Sequence, residues 1–175
     1  MGAVPVIETA RLRLRSFRAD DFAAQMAMLG DPEVVRFLGG PVEREDAWRR
    51  SLGGVGSWSV LGYGYWVVEP REGGGMIGHV GYSEPKRDIA PSLEGLPEMG
   101  WVFASEAGGQ GYASEAVEAG LAWAEAALPP VEITAIIAPG NVRSIRLAEK
   151  FGFIRAEETL YKGDPTLIFR RPARS

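Results

Sequence analysis

Three glycines crowd into four positions at Gly108, Gly109 and Gly111, just ahead of an alanine-rich amphipathic run. The stretch reads Gly108-Gly109-Gln110-Gly111-Tyr112-Ala113-Ser114-Glu115-Ala116. A glycine-rich turn at a helix start aims several unpaired backbone N–H groups at one point. The helix dipole adds partial positive charge there. Such a site suits an anion, and most naturally a phosphate. The alternative reading is a tight strand-to-helix turn with no ligand.

The elements on either side must position that loop. Residues 98–104 alternate as a strand, with Met99, Trp101 and Phe103 on one face and Glu98, Gly100 and Val102 on the other. The helix after the loop is expected to run to about residue 127. Ala113, Ala116, Val117, Gly120, Leu121 and Ala124 form its apolar stripe, and Pro129-Pro130 stops it. Residues 131–138 are β-branched and apolar, as in a central strand. Asn141 is placed to cap a short helix to Phe151, ended by Gly152. Residues 153–161 and 166–171 read as a hairpin around Gly163-Asp164-Pro165.

The N-terminal half carries the remaining signals. Residues 10–17 alternate Leu12 and Leu14 with Arg11, Arg13 and Arg15, as in a half-buried strand. Asp20 or Asp21 caps a helix to about Met28, and Asp31-Pro32-Glu33 starts another. Residues 43–52 suggest a third helix, ended by Gly53-Gly54. Residues 63–69 and 76–82 form strands of a hairpin joined by residues 70–75. Residues 86–96 read as a polar, proline-containing loop that could serve function. The order predicts a mixed α/β fold with a largely antiparallel sheet and one parallel pair, as a single domain over residues 1–175.

Composition narrows the chemistry. The 175 residues are 46% hydrophobic, enough for a sizeable core. A net charge of -4 argues against nonspecific nucleic-acid binding. With no Cys there is no disulfide, thiolate nucleophile or Cys-ligated zinc. A single His, His79, rules out paired-His metal sites; on its strand it is read as structural rather than catalytic. No metal is expected. The first twenty residues carry Glu8, Arg11, Arg13, Arg15 and Arg18 and no apolar core run, and no 18-residue apolar stretch exists. A cytoplasmic protein without a membrane segment is therefore expected.

Two phosphate-binding rivals fit poorly. A dinucleotide fold should open with an alternating βαβ run and an acidic residue after the next strand, but here that strand leads into Pro139-Gly140-Asn141. A P-loop needs Gly-Lys-Ser/Thr, which does not follow.

The chain resembles the GNAT superfamily of acetyl-CoA-dependent N-acetyltransferases. Gly108-x-x-Gly111-x-Ala113 is similar to that family's pyrophosphate loop, with Gly108 standing where Arg, Gln or Trp is usual. Within the family, residues 109–116 resemble the RimJ/RimL branch, which acetylates ribosomal-protein N-termini. So do residues 8–15, Ile77-Gly78, Asn141-Val142-Arg143-Ser144 and Lys150-Phe151-Gly152-Phe153, a likeness running from about Ile7 to Phe169.

The resemblance implies a GNAT fold whose strands at 98–104 and 131–138 splay apart around pantetheine. It implies acetyl-CoA contacts from Trp101, Val102, Phe103, Gly108, Gly109, Gln110, Gly111, Tyr112, Ala113, Ser114, Asn141 and Ser144. A main-chain N–H near Trp101 to Phe103 would bind the acetyl oxygen. Glu98 or a water chain would take a proton from the attacking amine. Ser144 or Tyr161 would protonate the leaving thiolate. Bland readings stay open: Glu98 as a solvated strand end, Asn141 as a simple cap and Ser144 as a first-turn helix residue. The acceptor would be a primary amine, on a peptide N-terminus or a small molecule, and homodimers are common in such folds. A CoA-binding module without catalysis is the rival function.

Overall fold

A computed structural model describes residues 4–174. Eight strands hydrogen-bond in the order β1-β2-β3-β4-β5-β6-β8-β7. They are β1 (Ile7–Glu8), β2 (Leu12–Arg15), β3 (Tyr65–Pro70), β4 (Gly78–Ser83), β5 (Glu98–Phe103), β6 (Ile133–Ile137), β7 (Ile154–Tyr161) and β8 (Asp164–Arg171). Among the described residues, five α-helices accompany them: α1 (Phe22–Gly30), α2 (Pro32–Val35), α3 (Arg44–Leu61), α4 (Tyr112–Ala127) and α5 (Val142–Lys150). β5 and β6 run parallel, paired at Glu98↔Thr134, as expected for the strands before and after α4.

The chain packs as two compact units, Met1–Ser83 with Gly100–Leu121, and Glu84–Met99 with Ala122–Ser175. In the first, β2 pairs antiparallel with β3, bringing Leu14 opposite Val68, both fully buried. β3 and β4 form the expected hairpin, with Trp66 opposite Val80. Met28, Val67 and Met76 pack with Phe17, Val34, Val102 and Ala104.

The second unit is built on β6 and β8, paired antiparallel from Ile133↔Arg171 to Ile137↔Leu167. The apolar run expected for a central strand is buried at Ile133, Ala135 and Ile137.

Several expectations are corrected. α3 does not stop at Gly53-Gly54 but runs on to Leu61, where Gly62, at φ +78°, ends it. Each interior glycine costs a helix up to about 1 kcal/mol relative to alanine. Here the buried face outweighs that. Trp58 packs edge-on against Trp66 and donates its indole N–H to the Tyr65 carbonyl at 3.2 Å. Gly64 makes room for it, since a Cβ there would lie 2.6 Å from the Trp58 ring.

The outward face assigned to the β2 arginines fails at Arg15. Its guanidinium is buried between Asp21, at 2.7 and 2.8 Å, and Glu69, at 2.6 Å. Asp21 therefore does not cap α1 with its side chain: its carboxylate accepts from Arg15 and from the Arg18 N–H, over a short 3-10 turn at Ala19–Asp21. Asp31 does cap α2, accepting from the Glu33 N–H at 2.9 Å.

Two loops also differ. Residues 86–96 carry buried Ile89 and Leu93, which pack on Ile168 of β8, so that loop is anchored rather than simply polar. The C-terminal hairpin turns at Lys162-Gly163, with φ +52° and +88°, and Asp164 and Pro165 belong to β8. Two successive left-handed residues are what a tight hairpin turn requires.

Candidate active site

In the first unit, β5 leads through a second 3-10 turn (Ser105–Ala107) into the glycine loop and α4. Gly109 and Gly111 have φ of +76° and +79°, a region where any Cβ is strained. Gly108 is extended instead, and its N–H donates to the Ser105 carbonyl at 3.0 Å. The Gln110 side chain turns back, donating to the Glu106 carbonyl at 3.1 Å. The loop thus presents backbone at the helix start, where the first N–H groups of α4 have no intrahelical acceptor.

An N-terminal strap fixes this loop. Between β1 and β2, the Thr9 hydroxyl accepts from the Leu12 N–H at 2.9 Å, making a tight turn. Thr9 also donates to Glu115 at 2.6 Å, and the Arg11 N–H donates to the same oxygen at 2.9 Å. Arg11 Nε donates to the other Glu115 oxygen at 2.7 Å, while Nη1 donates to the Gln110 carbonyl at 2.8 Å. The guanidinium lies 4.7 Å from the centre of the Tyr112 ring. Partial burial alone would raise the Glu115 carboxyl pKa, but Thr9 and Arg11 hold it below the ordinary range.

The second unit holds a charged cluster. Glu98 is 6% exposed, and both its oxygens accept from Arg87, at 2.8 and 2.7 Å. Arg87 also lies over the Tyr161 ring, 4.9 Å from its centre. Burial would lower the Arg87 pKa, yet Glu98 and Tyr161 outweigh it and keep the guanidinium charged. Beside Glu98 is a cavity of about 10 Å³, lined by Glu84, Lys86, Arg87, Glu94 and Glu98, among others. That is room for about one water. Lys86 is paired with both Glu84 and Glu94.

Asn141 Oδ1 accepts from the Ser144 N–H at 3.2 Å, capping α5 as expected. Trp101, Val102 and Phe103 are half-buried on β5. The Phe103 ring and the Val102 carbonyl lie against Gly78, where no Cβ would fit. His79 on β4 is held neutral: desolvation lowers its pKa to about 4, against a smaller opposing pull from Asp21.

The arrangement has relatives. A family model for the acetyltransferase (GNAT) domain matches residues 11–154. The chain belongs to the GNAT acetyltransferase family. It is 28% identical over 176 residues to the uncharacterized protein YkkB of Bacillus subtilis (strain 168), covering 98% of each. It is 26% identical over 153 residues to the uncharacterized N-acetyltransferase YoaA of the same organism, covering 85% of this chain and 82% of that one. Among solved structures, a Bordetella pertussis chain assigned to GnaT-family acetyltransferases is 29% identical with a TM-score of 0.84, covering 95% of this chain and 99% of that one. RimL, a ribosomal L7/L12 alpha-N-protein acetyltransferase solved with coenzyme A, is 15% identical with a TM-score of 0.76, covering 97% of this chain and 98% of that one. At that identity the likeness shows the shared fold and not the RimJ/RimL branch.

Within this GNAT chain, the loop residues Gly108 to Ser114 lie together in one unit, and the other unit brings Glu98 and Tyr161 together through Arg87. Glu98 is a buried, paired carboxylate rather than a solvated strand end. Sequence reasoning missed Arg11 and Arg87 as partners. Arg11 had a signal, an alternating Arg strand whose first charge opens a turn. Arg87 had none, because its meaning depends on a carboxylate eleven residues away. Among the described residues, no group of three acidic, His or Cys side chains is placed to hold a metal. No described helix is long and apolar enough to cross a membrane.

Proposed function

We propose that the protein moves the acetyl group of acetyl-CoA to a primary amine by direct attack, working as a single catalytic domain. The glycine loop carries this reading: two left-handed glycines hold backbone open at the start of α4, in a chain of the acetyltransferase family. N–H groups of Gly109, Gly111, Tyr112 and Ala113 take the pyrophosphate, with Gln110 and Ser114 at its edge. Main chain of Trp101, Val102 and Phe103 binds the acetyl oxygen, and Asn141 hydrogen-bonds pantetheine.

The acceptor nitrogen attacks the thioester carbon, the C–S bond breaks, and the amine gives up one proton. An α-amine, with a pKa of about 8, is partly neutral near pH 7 and needs only modest help. Glu98 takes the proton through its remaining lone pairs, directly or through a water, while Arg87 fixes the carboxylate's orientation. The departing thiolate takes a proton from Tyr161 or Ser144. Residues 31–62 and 86–96 choose the acceptor, a peptide N-terminus as in the RimJ/RimL branch or a small amine.

The test is a panel of peptides and small amines incubated with acetyl-CoA, with products weighed by mass spectrometry. We expect one acceptor class to gain 42 mass units, the weight of one acetyl group replacing hydrogen, with initial rates that depend on both substrates together. Binding of acetyl-CoA without transfer to any acceptor would favour a noncatalytic CoA-binding module instead.

A further inference from the structure

We infer that Arg11 is a donor-binding residue, supplying from the N-terminal strap the cationic side chain that Gly108 does not provide to the glycine loop. The inference rests on the acetyl-CoA reading of that loop.

Three observations carry it. First, Arg11 is fixed on the loop rather than waving in solvent. Its Nε bonds Glu115 and its Nη1 bonds the Gln110 carbonyl, so the guanidinium moves with the turn. Second, its remaining Nη2 lies beside Gly111. A Cβ on Gly111 would sit 3.4 Å from Arg11 Nη2, in van der Waals contact, so the guanidinium borders the loop backbone there. Of five guanidinium N–H groups, two are committed to Glu115 and Gln110, and the rest remain available to an anion. Third, the guanidinium stays open to a ligand from solvent. The side chain is 48% exposed although Glu115, its partner, is largely covered. Glu115 accepts from Thr9 and from the Arg11 amide as well, so the carboxylate is held in place by the same turn that carries the guanidinium.

A guanidinium binds phosphate oxygens better than an ammonium because its fork matches two of them at once. Strap and loop are a hundred residues apart in sequence, so the turn at Thr9 sets a charge that the loop's own sequence lacks. Thr9 and Glu115 are positioning residues, and Arg11 is the one that meets the ligand.

The experiment is isothermal titration of CoA into the full-length protein and into the Arg11→Gln and Arg11→Lys variants, each at about 0.05 and 0.5 M NaCl. The wild type is expected to bind. Arg11→Gln should weaken binding about tenfold at low salt, with most of that difference gone at high salt, where charge is screened. Arg11→Lys should fall between. Wild type and Arg11→Gln binding equally would overturn the role of Arg11 while leaving the acetyl-CoA reading intact. Weakening that is the same at both salts and is not relieved by Lys would make Arg11 a structural tie, and would equally overturn it. A wild type that fails to bind CoA would sink the acetyl-CoA reading, and this inference with it.

Discussion

At the scale of single residues, the bond between Glu98 and Arg87 has two separable consequences. Glu98→Gln leaves a guanidinium short of its countercharge. For a pair this well covered, with Arg87 still 23% exposed, the loss should be about 1–3 kcal/mol. Denaturant titration would show it. If Glu98 also receives the amine proton, kcat should fall about a hundredfold or more in the same variant while the KM for acetyl-CoA stays put. A stability loss without a rate loss would confine Glu98 to structure. His79 gives a pH signature of its own. Folded, it titrates near 4; unfolded, near 6.5. Between those values the unfolded chain binds more protons, so stability is full above about 6.5 and falls as pH drops through the window. The slope is at most about 1.4 kcal/mol per unit. Urea midpoints measured from pH 7 to 4.5 should flatten in His79→Gln; an unchanged slope would place the acid sensitivity elsewhere. The desolvation that produces this shift was not legible in a strand pattern, which marks a face but not what packs around it.

At the scale of elements, the places where sequence reading succeeded share a cause. Asp31 and Asn141 cap the helices expected of them because a cap is a local bond, closed within three residues. The α4 stripe is buried at Ala116, Val117, Leu121 and Ala124 because helical period alone sets a face. The failures needed partners on other elements. Gly53-Gly54 looked like a stop, and the packing of Trp58 on Trp66 of β3 explains why the last turns of α3 stay helical. Nothing lies within 4 Å of where a Cβ on Gly53 or Gly56 would sit. Gly53→Ala and Gly56→Ala should therefore each stabilise the protein by about 0.5–1 kcal/mol, raising the melting temperature by a few degrees. No gain in a thermal melt would mean the helix is held by packing alone. Arg15 failed for the same reason: alternation put it outside, and Asp21 and Glu69 drew it in. Arg15→Met should cost about 3–5 kcal/mol, since it strands two carboxylates in a closed space. A loss under about 1 kcal/mol would show that the triad roughly balances its own desolvation.

At the scale of the whole molecule, the order of strands and helices from β2 onward was readable in advance because connections are short and each motif announces its neighbours, while the two-residue β1 was too short to show a pattern. The glycine loop was readable too, since its demand for left-handed backbone falls on residue type. What surrounds it was not. Arg11 reaches the loop across 99 positions of sequence, and Arg87 reaches Glu98 from a loop whose composition gave no partner for it. Charges that arrive by folding leave no spacing to read. The acceptor is harder still, because its choice lies in loop shape rather than motif. The donor is the claim on which the rest depends, and ligand-linked stability tests it directly. With acetyl-CoA at a hundred times its dissociation constant, a ligand bound only by the folded state adds about 2.7 kcal/mol, or roughly 5–10 °C in a protein of this size. A melting temperature that climbs with acetyl-CoA concentration in this way is the expected result; one that stays flat up to millimolar acetyl-CoA would contradict it.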